Sequence, residues 1–447
     1  LITKNSIDQL KRESELKLDS LKNLEDTQSL SKEQKKSYIE QKLIKEIHYA
    51  AENSHFYSKF YKDNLIDIQS IQKESDLQKL PFTTKEHLRE QYPFGLLASS
   101  LEKVSHYAES TGTTGVPTSA YFSQKDWFQN NIYVAYRLMD LFSEDDIAII
   151  SAPYELSVPA QDLEKTFDLI GITQVACGVL NEFCSWEKTV DLIYKVQPTI
   201  MVASGTRVLL LSEVAQKMGY CAKMDFSVKK ILNIGETANQ SKAKKINEIW
   251  GADVFNAYGM TETCSLAITC HHGNMHIMDD RYNYEVIDVQ SGHNIKGEGK
   301  GELVITSLEN EVMPLIRYKT NDQVSISTQP CECGNTADIM QHYGRIDDVI
   351  RIGEWQISYL KLEEFIMSCE SHNKFYRVEY DNKQMNITVD LKESYSADFI
   401  TEELQSNFPE SVRDNIIINI FDKEEREEYI EYLKKSLKPF SKMFVKK

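Results

Sequence analysis

Between about residues 100 and 345, short apolar runs alternate with longer amphipathic stretches. The runs include Asp146 to Ala152, Pro198 to Ser204 and Lys230 to Gly235. Helix-periodic segments follow, such as Thr206 to Met218 and Ser241 to Trp250. This alternation predicts an α/β domain with a largely parallel sheet. Ligands of such sheets bind beyond the carboxyl ends of the strands. Before it, residues 1 to about 65 are charged and helical in pattern. Past Met275, strands with glycine turns predict a β-rich subdomain, with Tyr284 to Val289 and Gly301 to Thr306 as strands. From Gly344 onward the pattern predicts a small α+β block. Its strands are Val349–Ile352, Tyr376–Tyr380, Met385–Val389 and Ile416–Phe421, and its helices are Leu360–Cys369 and Ala397–Phe408.

The chain has 447 residues, enough for two or three domains, and is 41% hydrophobic and 27% charged. A formal net charge of −17 argues against non-specific binding to nucleic acid or anionic membranes. No apolar run approaches transmembrane length, and the first residues lack the apolar core of a signal peptide. Eight mostly scattered cysteines in so large a chain suit a reducing cytoplasm better than a disulfide scaffold.

Four segments carry chemistry. Glu109 to Thr118 reads E-S-T-G-T-T-G-V-P-T and presents N–H groups and hydroxyls with little bulk, as an anion nest requires. Val116 follows Gly115, so this is not a Walker loop. Its plain alternative is a surface turn. Asn256 to Thr263, N-A-Y-G-M-T-E-T, puts an aromatic, a hydroxyl and a carboxylate in one turn. These could stack on a purine, contact phosphate and hold Mg²⁺, or cap a helix N-terminus. Ile316 to Asp322 ends an expected strand in a carboxylate, suited to ribose hydroxyls or to a turn. Gly344 to Ile350, G-R-I-D-D-V-I, falls at the apparent domain boundary.

With Leu80 to Gly95 and the P-C-E-C-G element, these segments resemble the AMP-forming acyl/aryl adenylate superfamily, and within it the phenylacetate–coenzyme A ligase branch. The resemblance spans about Ile47 to Glu364 and, more faintly, the rest. It implies a large N-terminal adenylate-forming domain, 1–345, and a small mobile C-terminal domain, 346–447, with Asp347 at the hinge. Ser110, Thr111, Gly112, Thr113, Thr114 and Gly115 then grip ATP phosphates. Gly235, Glu236 and Thr237 line adenine, and Tyr258 stacks on it within the Tyr258, Gly259, Met260 turn. Thr261 contacts the α-phosphate and Glu262 ligates Mg²⁺. Asp322 clamps ribose with Arg345. Lys442 is the catalytic lysine candidate. Tyr154, Glu155, Gln161, Ser204, Gly205 and Ala257 line the acid pocket.

The implied reaction activates a small-molecule carboxylic acid, aryl or small acyl, as acyl-AMP with pyrophosphate release. A thioester then forms on coenzyme A or on carrier-protein phosphopantetheine. Two anions must meet in the first step, so Mg²⁺, hydroxyls and a lysine neutralise charge. The oligomeric state, homodimer included, stays open. The alternative is a degenerate nucleotide-binding zinc protein with a regulatory or scaffolding role; retention of Thr261, Glu262, Asp322, Arg345 and Lys442 speaks against it.

The chain departs from the family pattern in several places. Val116 stands where a lysine is common, G-E-T replaces G-A-E-P, and Ser441 replaces a glycine before Lys442. Glu354 stands where a glycine lines the pantetheine passage, which predicts that coenzyme A is a poorer acceptor than a cognate carrier protein. Ser151 to Gln161 replaces a glycine-rich pocket wall and predicts a more polar acid than phenylacetate. Cys331 and Cys333, with Cys270 and His276, form a set that members of the branch share and that would close a structural zinc site. His271 or His272 could substitute for His276, and reduced thiols in a turn are the plain alternative.

Overall fold

The computed structural model describes residues 4–110, 115–295 and 297–447, apart from the side chains of residues 4–10 and Glu13. The chain divides into two compact units. One comprises residues 1–145, 154–172 and 257–341, the other 146–153, 173–256 and 342–447.

In the first unit, helices Lys4–Gln28, Lys32–Asn53 and His55–Asp63 account for the charged N-terminal pattern. Ser31 and Gln34 form a reciprocal cap at the start of the second helix. The β-rich part runs in the order Tyr282–Ile287, Gly301–Ser307, Tyr318–Ser327, Ile339–Arg345, Met275–Ile277 and Cys264–Thr269. Val104–Glu109 and Ser119–Ser123 pair as an antiparallel ribbon that brings the ends of the Ser/Thr/Gly segment together. The core of this unit joins Leu43, Ile47 and Tyr57 to Leu266, Leu303, Ile305 and Ile316.

The second unit carries a parallel sheet in the order Thr173–Ala176, Ile147–Ile150, Ile200–Ala203, Lys230–Asn233 and the first part of Asp253–Met260. Ile147–Ile150 and Ile200–Ala203, in the middle of this order, are short and wholly apolar because both faces are covered. Gly205–Lys217 and Gln240–Trp250 follow their strands as helices, capped by Ser204 and Asn239. Residues 346–447 add the hairpin Val349–Ile352 with Trp355–Ser358. They also add a four-stranded sheet in the order Ile416–Ile420, Met385–Leu391, His372–Tyr380 and Phe444–Lys446. The core of this unit runs from Ile149, Val208 and Ile246 to Leu362, Tyr376 and Phe444. No helix among the described residues is long and apolar enough to cross a membrane.

Two local expectations change. Asn256 to Thr263 does not open a helix. Asp253–Met260 is a strand that turns back directly into Cys264–Thr269. Gly259 is required there, because a Cβ would lie 2.0 Å from the Cys264 carbonyl oxygen. Asp322 neither ends its strand nor sits in a plain turn, since Tyr318–Ser327 runs through it. Gly301–Ser307 places Glu302 opposite Gln323 and Val304 opposite Lys319, so Leu303 faces three residues. Asp322 therefore lies in a bulge beside Asn321, whose φ is 65°.

Candidate active site

In the first unit the end of the Ser/Thr/Gly segment meets the carboxylate turn. Ser110 N–H donates to the Thr118 carbonyl at 2.8 Å, and Thr118 N–H donates to Ser110 Oγ at 2.9 Å. Thr111, Gly112, Thr113 and Thr114 lie outside the described residues. Gly115 closes the segment with φ 122°, a conformation that favours glycine. Thr118 Oγ1 then donates to Glu262 Oε1 at 3.0 Å, and the Tyr318 hydroxyl donates to the same oxygen at 3.2 Å. Glu262 is 4% exposed, with Lys85 Nζ 4.0 Å away. Its second oxygen accepts no hydrogen bond among the described residues, which leaves a carboxylate oxygen suited to a hard cation.

Tyr258 and Asp322 are also paired, with the phenol donating to Oδ2 at 2.7 Å. Burial, followed by the adjacent carboxylate, pushes the Tyr258 phenol well above its ordinary range. Thr261 and Met260 are half-buried beside this pair, as is Ala257. Gln161 Nε2 donates to the Tyr154 carbonyl at 2.7 Å, and Tyr154 N–H donates to Glu155 Oε2 at 3.3 Å, so the turn at Tyr154 and Glu155 is tied to Gln161 of the helix Val158–Ile170.

In the second unit, Gly235 follows the Lys230–Asn233 strand with φ 76°. One carboxylate oxygen of Glu236 is engaged within the unit. Its Oε1 accepts from Thr206 N–H at 2.7 Å and from Lys242 Nζ at 2.6 Å. Thr237 Oγ1 lies 2.9 Å from His342 Nδ1. Gly205 N–H donates to Asn233 Oδ1 at 2.6 Å, and a Cβ on Gly205 would press on Glu236, Lys242 and Asn233. Ser204 caps the Gly205–Lys217 helix. Arg345 and Asp347 are exposed, and Lys442 is exposed at the end of the one-turn helix Pro439–Lys442.

A separate cluster in the first unit holds the cysteines. The ligand atoms of Cys270, His276, Cys331 and Cys333 all lie within 4.8 Å of one another. Cys270 Sγ is 3.8 Å from Cys331 Sγ, and Cys333 Sγ is 3.3 Å from His276 Nε2. His276 Nδ1 lies 2.8 Å from the Ala337 carbonyl, which orients Nε2 inward. Asn274 Nδ2 and Asn335 N–H donate to the sulfurs of Cys331 and Cys333. Three thiols and one imidazole at these distances fit a tetrahedral zinc site. His272 instead faces Glu332 at 3.7 Å, outside the cluster.

Residues 110–313 match the family model described as AMP-binding enzyme. Over that stretch the chain is similar to AMP-binding enzymes. Among its relatives, the phenylacetate-coenzyme A ligase of Thermus thermophilus is 27% identical over 383 residues, 84% of each chain. The phenylacetate-coenzyme A ligase of Aromatoleum evansii is 26% identical over 375 residues, 83% of each. For the fold, the crystal structure of a 2-hydroxyisobutyryl-CoA ligase in the postadenylation state superposes with a TM-score of 0.79 at 17% identity. It covers 90% of this chain and 93% of that one.

The motifs were legible in the sequence, but not the residues that hold them. Thr118 was visible as the last letter of its segment, yet nothing local tied it to Glu262, 144 residues away. Lys242 carried a fainter signal, a lysine on a helix that also buries Ile246 and Trp250.

Proposed function

We propose that this protein activates a carboxylic acid with ATP, forming acyl-AMP and pyrophosphate, and then transfers the acyl group to a thiol. The observation that carries this reading is the bond from Thr118 to Glu262. It sets the base of the Ser/Thr/Gly loop against a buried carboxylate. A phosphate-gripping loop and a cation-holding carboxylate are what an ATP–Mg²⁺ complex needs on one side. Bound Mg²⁺ would offset charge as carboxylate and triphosphate approach, and Glu262 is the residue fitted to hold it.

In this reading Thr261 faces the α-phosphate. Tyr258 and Asp322 serve adenine and ribose, with Arg345 assisting Asp322. The backbone of Gly235 to Thr237 borders the base. Lys442 supplies the positive charge for adenylate formation. Asp347 is the pivot about which residues 346–447 turn between the two steps. The acid lies among Tyr154, Glu155, Gln161, Ser204, Gly205 and Ala257. Zinc in the Cys270, His276, Cys331 and Cys333 cluster is structural, because four protein ligands leave no open position for chemistry.

Coenzyme A is the acceptor that the relatives support, their names being coenzyme A ligases. Glu354 is exposed in the turn between Val349–Ile352 and Trp355–Ser358, directly after Gly353 with φ 59°. An exposed carboxylate leaves Gly353 free to flank the pantetheine arm. The test has two parts. Acid-dependent ATP–pyrophosphate exchange across aryl, acyl and amino acids should single out at least one acid. Single-turnover transfer from the matching acyl-AMP should then be fast and saturable with coenzyme A. No exchange with any acid would sink the reading, and transfer only to a carrier protein would move the acceptor.

A further inference from the structure

Cys177 and Cys184 are two free thiols to which the ligase chemistry assigns no part. Both belong to the second unit, at the two ends of the segment C-G-V-L-N-E-F-C. Cys177 follows the strand Thr173–Ala176, and its N–H donates to the Ile150 carbonyl at 2.9 Å. The chain then turns back through Gly178 and Leu180, whose φ values are 65° and 50°. Asn181 closes the loop. Its Nδ2 donates to the Cys177 carbonyl at 2.9 Å, and its Oδ1 accepts from the Cys184 N–H at 2.7 Å. One side-chain amide thus ties the backbones of both cysteines together.

The two side chains meet as well. Burial, followed by the charge and the hydrogen bond of Cys184, pushes the Cys177 thiol up to about 12. Cys177 is 5% exposed, whereas Cys184 is half-buried and lines a cavity of about 290 Å³. The cavity gives a small solute access to Cys184. Cys184 Sγ lies 3.4 Å from Thr189 Oγ1, which fixes its side chain.

Arg207 forms another part of the cavity wall. Its Nε donates to Ser151 Oγ at 2.7 Å, and its guanidinium lies over the Trp186 ring, 4.0 Å from the centroid. Burial lowers the guanidinium to about 10, while Cys177 and Cys184 act to raise it, so it stays cationic at neutral pH. A fixed cation beside a thiol favours the thiolate, which is the form that reacts. Glu187 and Glu431 on the same wall oppose this effect. They share Lys434, at 3.8 Å and 3.0 Å, and are more than half exposed, where water and salt screen them.

We infer that Cys184 is a peroxide-reactive thiol and that Cys177 resolves its oxidised form as a reversible intramolecular disulfide. The Cys184 thiolate attacks one oxygen of a hydroperoxide and the O–O bond breaks. The other oxygen leaves as an alcohol, or as water from hydrogen peroxide, with the proton that Cys184 gave up. Cys184 is then a sulfenic acid. The Cys177 sulfur attacks the Cys184 sulfur, the S–S bond forms, and the sulfenic hydroxyl leaves as water with the Cys177 proton. The two thiols lose two electrons in total, and the hydroperoxide gains them. A dithiol reverses the change by thiol–disulfide exchange.

The experiment exposes the full chain to hydrogen peroxide, blocks the remaining thiols by alkylation and maps the digest by mass. Glu182 lies between the two cysteines, so cleavage after glutamate gives two fragments that stay joined only through the disulfide. Wild type should form the joined species at least about tenfold faster than the exposed Cys221 is oxidised, and dithiothreitol should reverse it. Cys177→Ala should stop at a sulfenic acid on Cys184, trapped by a 1,3-diketone. Cys184→Ser should leave Cys177 reduced. Arg207→Met should slow the joining about three- to tenfold. Absence of joined fragments, or oxidation confined to Cys221 or to Cys270, Cys331 and Cys333, would overturn the inference. So would oxidation of Cys177 at the wild-type rate in Cys184→Ser. An unchanged rate in Arg207→Met would overturn the part given to the cation. If Cys177→Ala fails to fold, the wild-type map and Cys184→Ser still decide. The readout is mass and not turnover, so failure of the ligase reading leaves the result unaffected.

Discussion

Lys242 Nζ lies 2.9 Å from Glu363 Oε1, and both side chains are wholly buried. The same ammonium reaches Glu236 at 2.6 Å and Thr206 Oγ1 at 2.9 Å. Glu363 also accepts from the Tyr376 hydroxyl at 3.1 Å and from Asn239 Nδ2 at 3.0 Å. Burial by itself would lower the Lys242 ammonium, but the two carboxylates outweigh it and hold it above its ordinary value. Within the second unit this network joins the Gly235–Thr237 segment to the block after residue 345. Glu213, which accepts from Lys374 and Arg426, makes a similar junction. Lys242→Met would leave two buried carboxylates facing each other. It should cost about 3–5 kcal/mol in urea unfolding, whereas Lys361→Met at an exposed pair should cost under about 1 kcal/mol. Equal, small losses in both variants would show that the buried network adds little.

Glu262→Gln should reduce acid-dependent pyrophosphate exchange by about two orders of magnitude or more, as removal of a group that holds charge at the reacting centre does. Its hydrogen bonds from Thr118 and Tyr318 can persist to the amide oxygen, so the melting temperature should move little. Near-normal exchange would remove Glu262 from the mechanism.

The role proposed for Lys442 is in the first step alone. Lys442→Ala should abolish pyrophosphate release while still turning over supplied acyl-AMP with thiol, because the proposed rotation about Asp347 would carry the lysine away. Loss of both steps in equal measure, or of neither, would contradict that role.

The cysteine cluster should bind about one equivalent of zinc by elemental analysis. Cys331→Ser or Cys333→Ser should lose metal and melting temperature together, since metal affinity adds to folding free energy. Full stability in metal-free protein would assign the cluster to packing instead.

Glu46 predicts a pH dependence in the first unit. Burial raises its carboxyl to about 8, against hydrogen bonds from Ser307 and the Asn310 N–H that favour ionisation. Between its ordinary value of 4.5 and about 8, the folded state binds more protons than the unfolded state. Stability from this group therefore falls as pH rises through that window. Glu46→Gln should flatten the fall, by a few kcal/mol at most, in melting temperatures read from pH 5 to 9. An unchanged profile would show that another group sets the slope.

How much was legible in the sequence depended on the range of the interactions involved. Ile200 to Ala203 read as a strand because its residues are continuously apolar, and Gly205–Lys217 read as a helix from period and cap. The four cysteine-cluster ligands could be named because zinc donors are few and chemically distinctive. These are local or compositional signals, carried by a window of residues.

The bulge at Asp322 was not legible, because it depends on register against Gly301–Ser307. Nor was the hairpin at Gly259, because the close approach of the Cys264 carbonyl exists only once both strands have paired. The partners of Glu262, Lys242 and Arg207 lie 144, 121 and 56 residues away. By itself the sequence determined which segments become strands and helices and which residue types can do the chemistry, since backbone propensity and side-chain identity act locally. Only the tertiary structure decided which carboxylate is neutralised by a neighbour, because burial and Coulomb attraction depend on distance in space and not along the chain.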